Sequence, residues 1–401
     1  MLLGGGIMNY LLKLYDEPLI KFTMENEVGE GFKATMNWIV KPTKYNLLPY
    51  NIYMGIINEY TGARLDDINI HKTLTKWLNK RTIPKNREFV EEILHAYGLS
   101  INDKKGIIEI CKGLSLNDSY WVVPEDFDGK FADYNLYENK FSEALSLVAY
   151  TGVGGGVTPF TTSPEYTTGG MLRKAWRRID DKIILYKGGT GGFANTGLEP
   201  YSEYYACQIA EKMKMDPVMY GLEQWKGILA SICVLFTDID TAFIPIGRIV
   251  KEGGYKKVLE WAKNQSNEMY EYFRSILCLD ALIYNQDRHF GNFGVLRENK
   301  TGKIIAPAPV FDNGLSLFNY GMIDNLRNLE EYRQTRTAQT GDSFDDIAKT
   351  FCGKKQKEQL RHLIDFKFIP HELYNWEPER YEIIEKFIQK RVIELLNIIN
   401  D

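Results

Sequence analysis

Residues 282–296 read LIYNQDRHFGNFGVL, and this stretch decides how the chain is understood. An apolar run stops at Asn285. Asp287, Arg288, His289 and Asn292 then arrive within six positions, and apolar residues resume at Phe293. The pattern predicts a helix over 268–285, a polar loop, and a strand, FGVL, leaving it. Asp312 follows twenty positions after Asn292, in PVFDNGLSLF, after a second short apolar segment and before a turn glycine, Gly314. Two loops at the ends of adjacent strands can bring an Asp, an Asn and another Asp to one point.

That trio suits phosphoryl transfer. A hydroxyl nucleophile needs a carboxylate to orient it and take its proton. The transferred phosphate needs a hard divalent cation, and Mg²⁺ prefers oxygen ligands such as an Asn carbonyl and an Asp carboxylate. Asp287 is therefore the expected base, with Asn292 and Asp312 the expected metal ligands. The five-position spacing of Asp287 and Asn292 is that of a kinase catalytic loop. Upstream, IILYKGG places Lys187 at the end of an apolar strand, and PYSEYYACQIAEKM places Glu203 in the first turn of the next helix. A strand lysine followed by a helix glutamate is the order that a kinase ion pair requires. Each feature has an ordinary reading by itself: a solvated turn, an edge lysine, a helix-dipole glutamate. Their common order is what favours a site.

Glycine would supply a phosphate cradle, because backbone N–H groups must come close to oxygen. TGVGGGV (151–157), TTGGML (167–172) and KGGTGG (187–192) are the candidates, and none fits GxxxxGK[ST] or GxGxxG. The second opens the predicted hairpin KAWRRIDDKIILYKGG, so Thr168, Gly169 and Gly170 are the expected phosphate contacts.

Residues from about 141 to 400 resemble the HipA-like serine/threonine kinases, with a distant similarity to phosphatidylinositol 3/4-kinases. TTGGMLRKAW, IILYKGG with SEYYACQIAEKM, NQDRHFGNFGVL and PVFDNGLSLF carry the resemblance. It places the family's catalytic-loop Asp, His and Asn on Asp287, His289 and Asn292, its later metal-binding Asp on Asp312, and its phosphate-contacting Lys on Lys187. The adenine hinge would fall on Thr237, Asp238 and Ile239. His289 has two readings, a brace for the loop or a buried structural histidine. The resemblance implies ATP- and Mg²⁺-dependent phosphorylation of a protein Ser or Thr, and for some members a small antitoxin-type regulator. It also implies an α+β fold with a bilobal core, a small β-rich N-lobe (126–240) and a larger helical C-lobe (241–401). A separate small α/β accessory domain (1–125) would precede it, and this region does not obviously match the family. Several members phosphorylate a Ser in their own glycine-rich loop. The corresponding segment here, TPFTTSPEYTTGG, offers Thr161, Thr162, Ser163, Thr167 and Thr168.

The whole chain sets wider bounds. Its 401 residues imply more than one domain, and 44% hydrophobic with 25% charged residues is ordinary globular composition. The net charge of −4 gives no global basic field, so membrane binding is not expected. Five dispersed cysteines without a CxxC pair suit a reducing compartment, and the N-terminus shows no basic n-region, so a cytoplasmic protein is expected. A basic helical pair at 71–98, with Lys72, Lys76, Lys80, Arg81, Lys85 and Arg87, raises a competing reading as a nucleic-acid- or partner-binding regulator with a kinase-like core. A solvated face balanced by Glu88, Glu91 and Glu92 is the ordinary account, and direct nucleic-acid binding is not expected. A kinase of a small molecule or lipid is the third reading, since the same core supports it.

Overall fold

The computed structural model describes residues 8–27, 31–56, 67–95, 98–153, 162–192 and 195–400. The chain divides into two compact units. The first comprises residues 1–184, 237–244 and 296–305; the second comprises 185–236, 245–295 and 306–401. The boundary expected at residue 125 thus falls inside the first unit.

The first unit opens with β1 (Asn9–Leu14), β2 (Glu17–Asn26) and β3 (Phe32–Ile39). The alternation of YLLKLYDEPLIKFTM breaks at Tyr15–Asp16 and not, as the sequence suggests, at Pro18. Tyr15 takes a positive φ of 50°, and Pro18 lies inside β2 opposite Lys13, where the register shifts. Next come α1 (Tyr50–Ile56), α2 (Asp67–Asn79), α3 (Val90–His95), α4 (Lys104–Cys111) and β4 (Tyr120–Pro124). The polar and aromatic sequence of residues 113–140, without helical period, suggests a surface connection. Instead WVV is buried and β4 pairs with β1 in a sheet of order β3-β2-β1-β4, because an aromatic and β-branched run fits a half-buried pleat. α2 closes the β3 edge of this sheet: Thr75 Oγ1 and His71 Nδ1 accept the N–H groups of Ala34 and Met36. α5 (Glu143–Thr151) and β5 (Lys174–Ile179) complete the unit's helices and its first hairpin strand. Two apolar cores result: one between the sheet, α1 and α2, the other among α3, α4 and α5.

β6 (Lys182–Gly188) follows β5 through a turn at Asp180, as expected. The division between the units runs within this strand. The second unit continues with α6 (Glu199–Lys212), β7 (Tyr220–Trp225) and β8 (Ile228–Val234), in a sheet of order β5-β6-β8-β7. Tyr205, Ile209 and Met213 of α6 are all fully buried, which is the stripe that their i, i+4, i+8 spacing predicts. In chain order β9 (Thr241–Pro245), α7 (Gly254–Gln265), α8 (Asn267–Ile283), β10 (Gly294–Glu298) and β11 (Ile304–Pro307) come next; residues 241–244 of β9, 296–298 of β10 and 304–305 of β11 belong to the first unit. The helical C-terminal third is α9 (Ile323–Arg327), α10 (Leu329–Gln334), α11 (Phe344–Phe351), α12 (Lys354–Arg361) and α13 (Pro378–Ile398). No helix among the described residues is long and apolar enough to cross a membrane.

Candidate active site

The helix predicted before the polar loop is α8. Ser266 caps its start by accepting the Met269 N–H, and it ends at Tyr284, whose φ of 54° turns the chain. The Tyr284 ring is buried against Phe318, Phe344 and Phe387, and this packing holds a conformation that a non-glycine residue rarely adopts. Loop 285–292 follows and leads into β10. Inside it, Asn285 Oδ1 accepts the Asp287 N–H at 3.1 Å, and Asn292 Nδ2 donates to the Asp287 carbonyl at 3.0 Å. These bonds fix the backbone beneath Asp287 and use the Asn292 side-chain nitrogen, so its Oδ1 could serve as an oxygen ligand.

His289 is exposed, which removes its reading as a buried structural residue. Its Nδ1 accepts the Gly291 N–H at 2.9 Å, and its carbonyl accepts the Asn292 N–H. The ring crowds Gly291 so closely that a Cβ there would fall 2.7 Å from it. His289 is thus the brace of the loop.

Arg288, to which the sequence assigned no role, is the central strut. Its side chain is 1% exposed. Nε and Nη2 donate to the Asp280 carboxylate in α8, Nη1 to the carbonyls of Asn292 (3.0 Å) and Phe311 (2.7 Å), and Nη2 also to Asn313 Oδ1. One planar guanidinium therefore joins the helix, the loop and the Asp312 segment, which a lysine could not do. Burial pushes the Asp280 carboxyl up, against the pull of Arg288. Asp280 interrupts the apolar run LCLDALI, and a charge inside such a run signals a buried partner. Backbone bonds join the same segments: Gln286 N–H to Leu315 O, and Leu317 N–H to Ile283 O.

Lys187, near the end of β6, extends its ammonium to Glu203 Oε1 at 2.7 Å and to Asp312 Oδ1. Glu203 lies in the second turn of α6 and not the first, because the helix starts at Glu199. Glu203 is fully buried and accepts the Asn313 N–H on its other oxygen. Burial works to lower the Lys187 pKa, but the Asp312 and Glu203 carboxylates outweigh it and hold the ammonium above the usual lysine range. Burial raises the Glu203 carboxyl, with Lys187 opposing. Asp312 adopts φ +58° and receives the buried Tyr220 hydroxyl as acceptor of its N–H. Asp287 is half-buried; burial raises its carboxyl, His289 draws it down, and Asp312 raises it further.

Lys187, Glu203, Asp287, His289, Asn292 and Asp312 all belong to the second unit. Among the described residues no group of three or more His, Cys, Asp or Glu gathers as a metal site. One carboxylate (Asp312) and one amide oxygen (Asn292) nonetheless fit Mg²⁺, which keeps water and substrate phosphates as most of its shell.

The other expected contacts belong to the first unit. Thr168 is half-buried: its Oγ1 donates to Pro164 O and accepts the Trp176 Nε1–H. Gly169 and Gly170 are exposed, and Gly170 takes φ +86°. Thr237 is buried with Oγ1 bonded to Leu116 O, and Asp238 is exposed. The Ile239 carbonyl accepts from Tyr15, Ser119 and Asn299, so that group is already committed to the fold. Thr161 lies outside the described residues, as does most of TGVGGGV. Ser163 and Thr167 are buried, and Thr162 is half-buried. Lys72, Lys76, Lys80 and Lys85 are exposed, but Arg81 and Arg87 are not part of any basic surface: each is buried in an ion pair, with Asp118 and Glu165 respectively.

No protein-family model and no curated protein sequence matches the chain. Solved structures do. HipA of Shewanella oneidensis MR-1, determined in complex with HipB and its operator DNA, aligns over 97% of this chain and 99% of its own, with 10% identity and a TM-score of 0.55. The Helicobacter pylori proinflammatory kinase CtkA aligns over 56% of this chain and 90% of its own, with 18% identity and a TM-score of 0.42. The chain has a HipA-like kinase fold of mixed α+β architecture.

Proposed function

We propose that the chain is an ATP- and Mg²⁺-dependent phosphotransferase acting on a protein Ser or Thr hydroxyl. The observation that carries this reading is the Lys187 ammonium held by both Glu203 and Asp312. Lys187 neutralises nucleotide phosphate, Glu203 aims it, and Asp312 with the Asn292 amide oxygen offers hard oxygen ligands to a cation. A bound Mg²⁺ would neutralise charge on the phosphate oxygens. Asp287 orients the acceptor hydroxyl and takes its proton, on a backbone that Asn285, Asn292 and Arg288 keep in place. Thr168, Gly169 and Gly170 contribute to phosphate binding, and Thr237, Asp238 and Ile239 to adenine binding; among these the Ile239 carbonyl is excluded as an acceptor by its three existing donors.

Radiolabelled ATP with wild type and Asp287→Ala, with and without lysate, tests the activity. Labelling that persists unchanged in Asp287→Ala overturns the role of Asp287. A melting shift with ATP that requires Mg²⁺ tests binding separately, since a ligand of the native state alone raises the melting temperature.

Two further parts belong to the same reading. Autophosphorylation in 158–168 would use the half-buried Thr162 or Thr168 more directly than Ser163 or Thr167, which must first leave buried positions; peptide mapping that finds no phosphate there removes this part. A small antitoxin-type protein partner is suggested by the HipB-bound state of the Shewanella protein. Size-exclusion of the natively expressed chain as a lone monomer would remove that part.

A further inference from the structure

Residues 87–89 of the first unit act on one short segment in three ways. Arg87, 2% exposed, donates through Nη1 to the carbonyls of Glu165 and Thr168, and through Nη2 to the Glu165 carboxylate and the Lys174 carbonyl. Glu88 donates its N–H to Met171 O at 2.9 Å, and its carboxylate accepts the Arg173 N–H (3.1 Å) and Arg173 Nη2 (2.6 Å). Phe89 sits at φ +60° with its ring under the Arg173 guanidinium, 5.4 Å from centroid to Cζ. The same ring lies 2.6 Å from where a Gly152 Cβ would stand. Backbone strain at a bulky residue persists only where surrounding contacts over-determine it. Leu114 adds a fourth tie, accepting Thr167 Oγ1 at 2.7 Å. The glycine turn 168–171 is therefore bonded at Thr168 and Met171, and its exit at Arg173 and Lys174, to a strap more than eighty residues earlier in the chain. Within the turn, local support comes from Lys174 Nζ to Gly169 O and from the Thr168 N–H and hydroxyl, both of which donate to Pro164 O.

We propose that Arg87, Glu88 and Phe89 are positioning residues that hold the glycine turn 168–171 in its phosphate-binding form. This rests on the functional reading above. The ties are built for aim: every one ends on a backbone atom or on a side chain flanking the turn, while Gly169 and Gly170 themselves stay exposed. Gly170 sits at φ +86°, where any side chain would be strained.

The test uses the full chain with Glu88→Ala, chosen because the Glu88–Arg173 pair is partly exposed and its loss spares the buried Arg87–Glu165 pair. Hydrogen exchange in peptides covering 167–174 should quicken while the rest of the chain keeps its protection. ATP should bind less tightly with Mg²⁺ present: a turn in place one-fifth of the time raises the apparent Kd about fivefold. Adenosine, lacking phosphates, should bind unchanged. Glu88→Gln keeps an acceptor for the Arg173 N–H and should recover most of the loss. Unchanged exchange at 167–174, unchanged ATP affinity, or equal weakening of ATP and adenosine each overturns the proposal. A wild type that binds no ATP overturns the functional reading instead, and the exchange measurement still decides whether the strap holds the turn.

Discussion

The proposed catalytic loop 285–292 and the glycine turn 168–171 are held by the same device, a buried arginine. Arg288 pairs with the Asp280 carboxylate and ties down the carbonyls of Asn292 and Phe311. Arg87 pairs with the Glu165 carboxylate and ties down the carbonyls of Glu165, Thr168 and Lys174. The difference is range. Arg288 and Asp280 are eight residues apart, so the brace is written into the motif that it serves; Arg87 and Glu165 are 78 apart. A guanidinium suits both positions, because its fixed planar fork can satisfy a carboxylate and several carbonyls at once. The comparison teaches that the loop carrying the proposed chemistry is braced by the stretches of chain that flank it, whereas the turn proposed to meet phosphate depends on a distant part of the chain.

The largest expected effect breaks neither brace. Asp287→Ala should cut phosphoryl transfer by about 10²–10⁴-fold, the usual range for a general base, with the melting temperature nearly unchanged. Radiolabel incorporation and thermal melting together check this.

The two arginines come next. Removing one partner of a buried pair leaves an uncompensated charge and costs about 3–5 kcal/mol. Arg288→Ala and Arg87→Ala should both fall in that range by denaturant unfolding. They should part in native-state hydrogen exchange: Arg288→Ala quickens 285–292 and 311–318, whereas Arg87→Ala quickens 163–174. Identical exchange patterns would break the comparison.

A smaller effect is expected from replacing both ends of the long-range pair. Arg87→Met with Glu165→Leu removes the desolvation cost of two buried charges, so it should be less destabilised than Arg87→Ala. The Thr168 and Lys174 carbonyls still lose their donor, so the glycine turn should exchange as fast as in the single variant. Recovery of turn protection in the double variant would show that packing, not the guanidinium, holds the turn.

The smallest effect is in pH. Burial sets the Asp287 carboxyl above its ordinary value of 3.8, and the neighbouring Asp312 adds to this. A general base works ionised, so the transfer rate should rise with pH through a midpoint above 3.8 and level off beyond it. An acid limb at or below the ordinary aspartate value would contradict the burial of Asp287, and Asp287→Asn should lack the limb.

Much of the catalytic side was legible in the residues. The helix, polar loop and strand around NQDRHFGN appear where the apolar pattern placed them, and so do the hairpin before Lys187 and the buried stripe of α6. Local periodicity and capping decide such features, and both are short-range. Other readings failed where long-range packing took over. Pro18 suggests a break, but a register shift lets it sit inside β2. The polar, aromatic surroundings of WVVP suggest a surface connection, yet pairing with β1 buries Trp121, Val122 and Val123. Glu203 is a turn deeper in its helix than expected, since Pro200 occupies the first turn.

The sequence by itself determined the order of Lys187, Glu203, Asp287, Asn292 and Asp312, because chemistry of this kind restricts residue type and chain order. Only the tertiary structure decided that Lys187 reaches Glu203 and Asp312 together, that Arg288 is a strut and not a substrate contact, and that Arg87 belongs to an ion pair instead of a basic face. The physical reason is the same in each case. A charge meets its partner through folding across scores of residues, and no periodicity in a single chain records which distant carboxylate will share its burial.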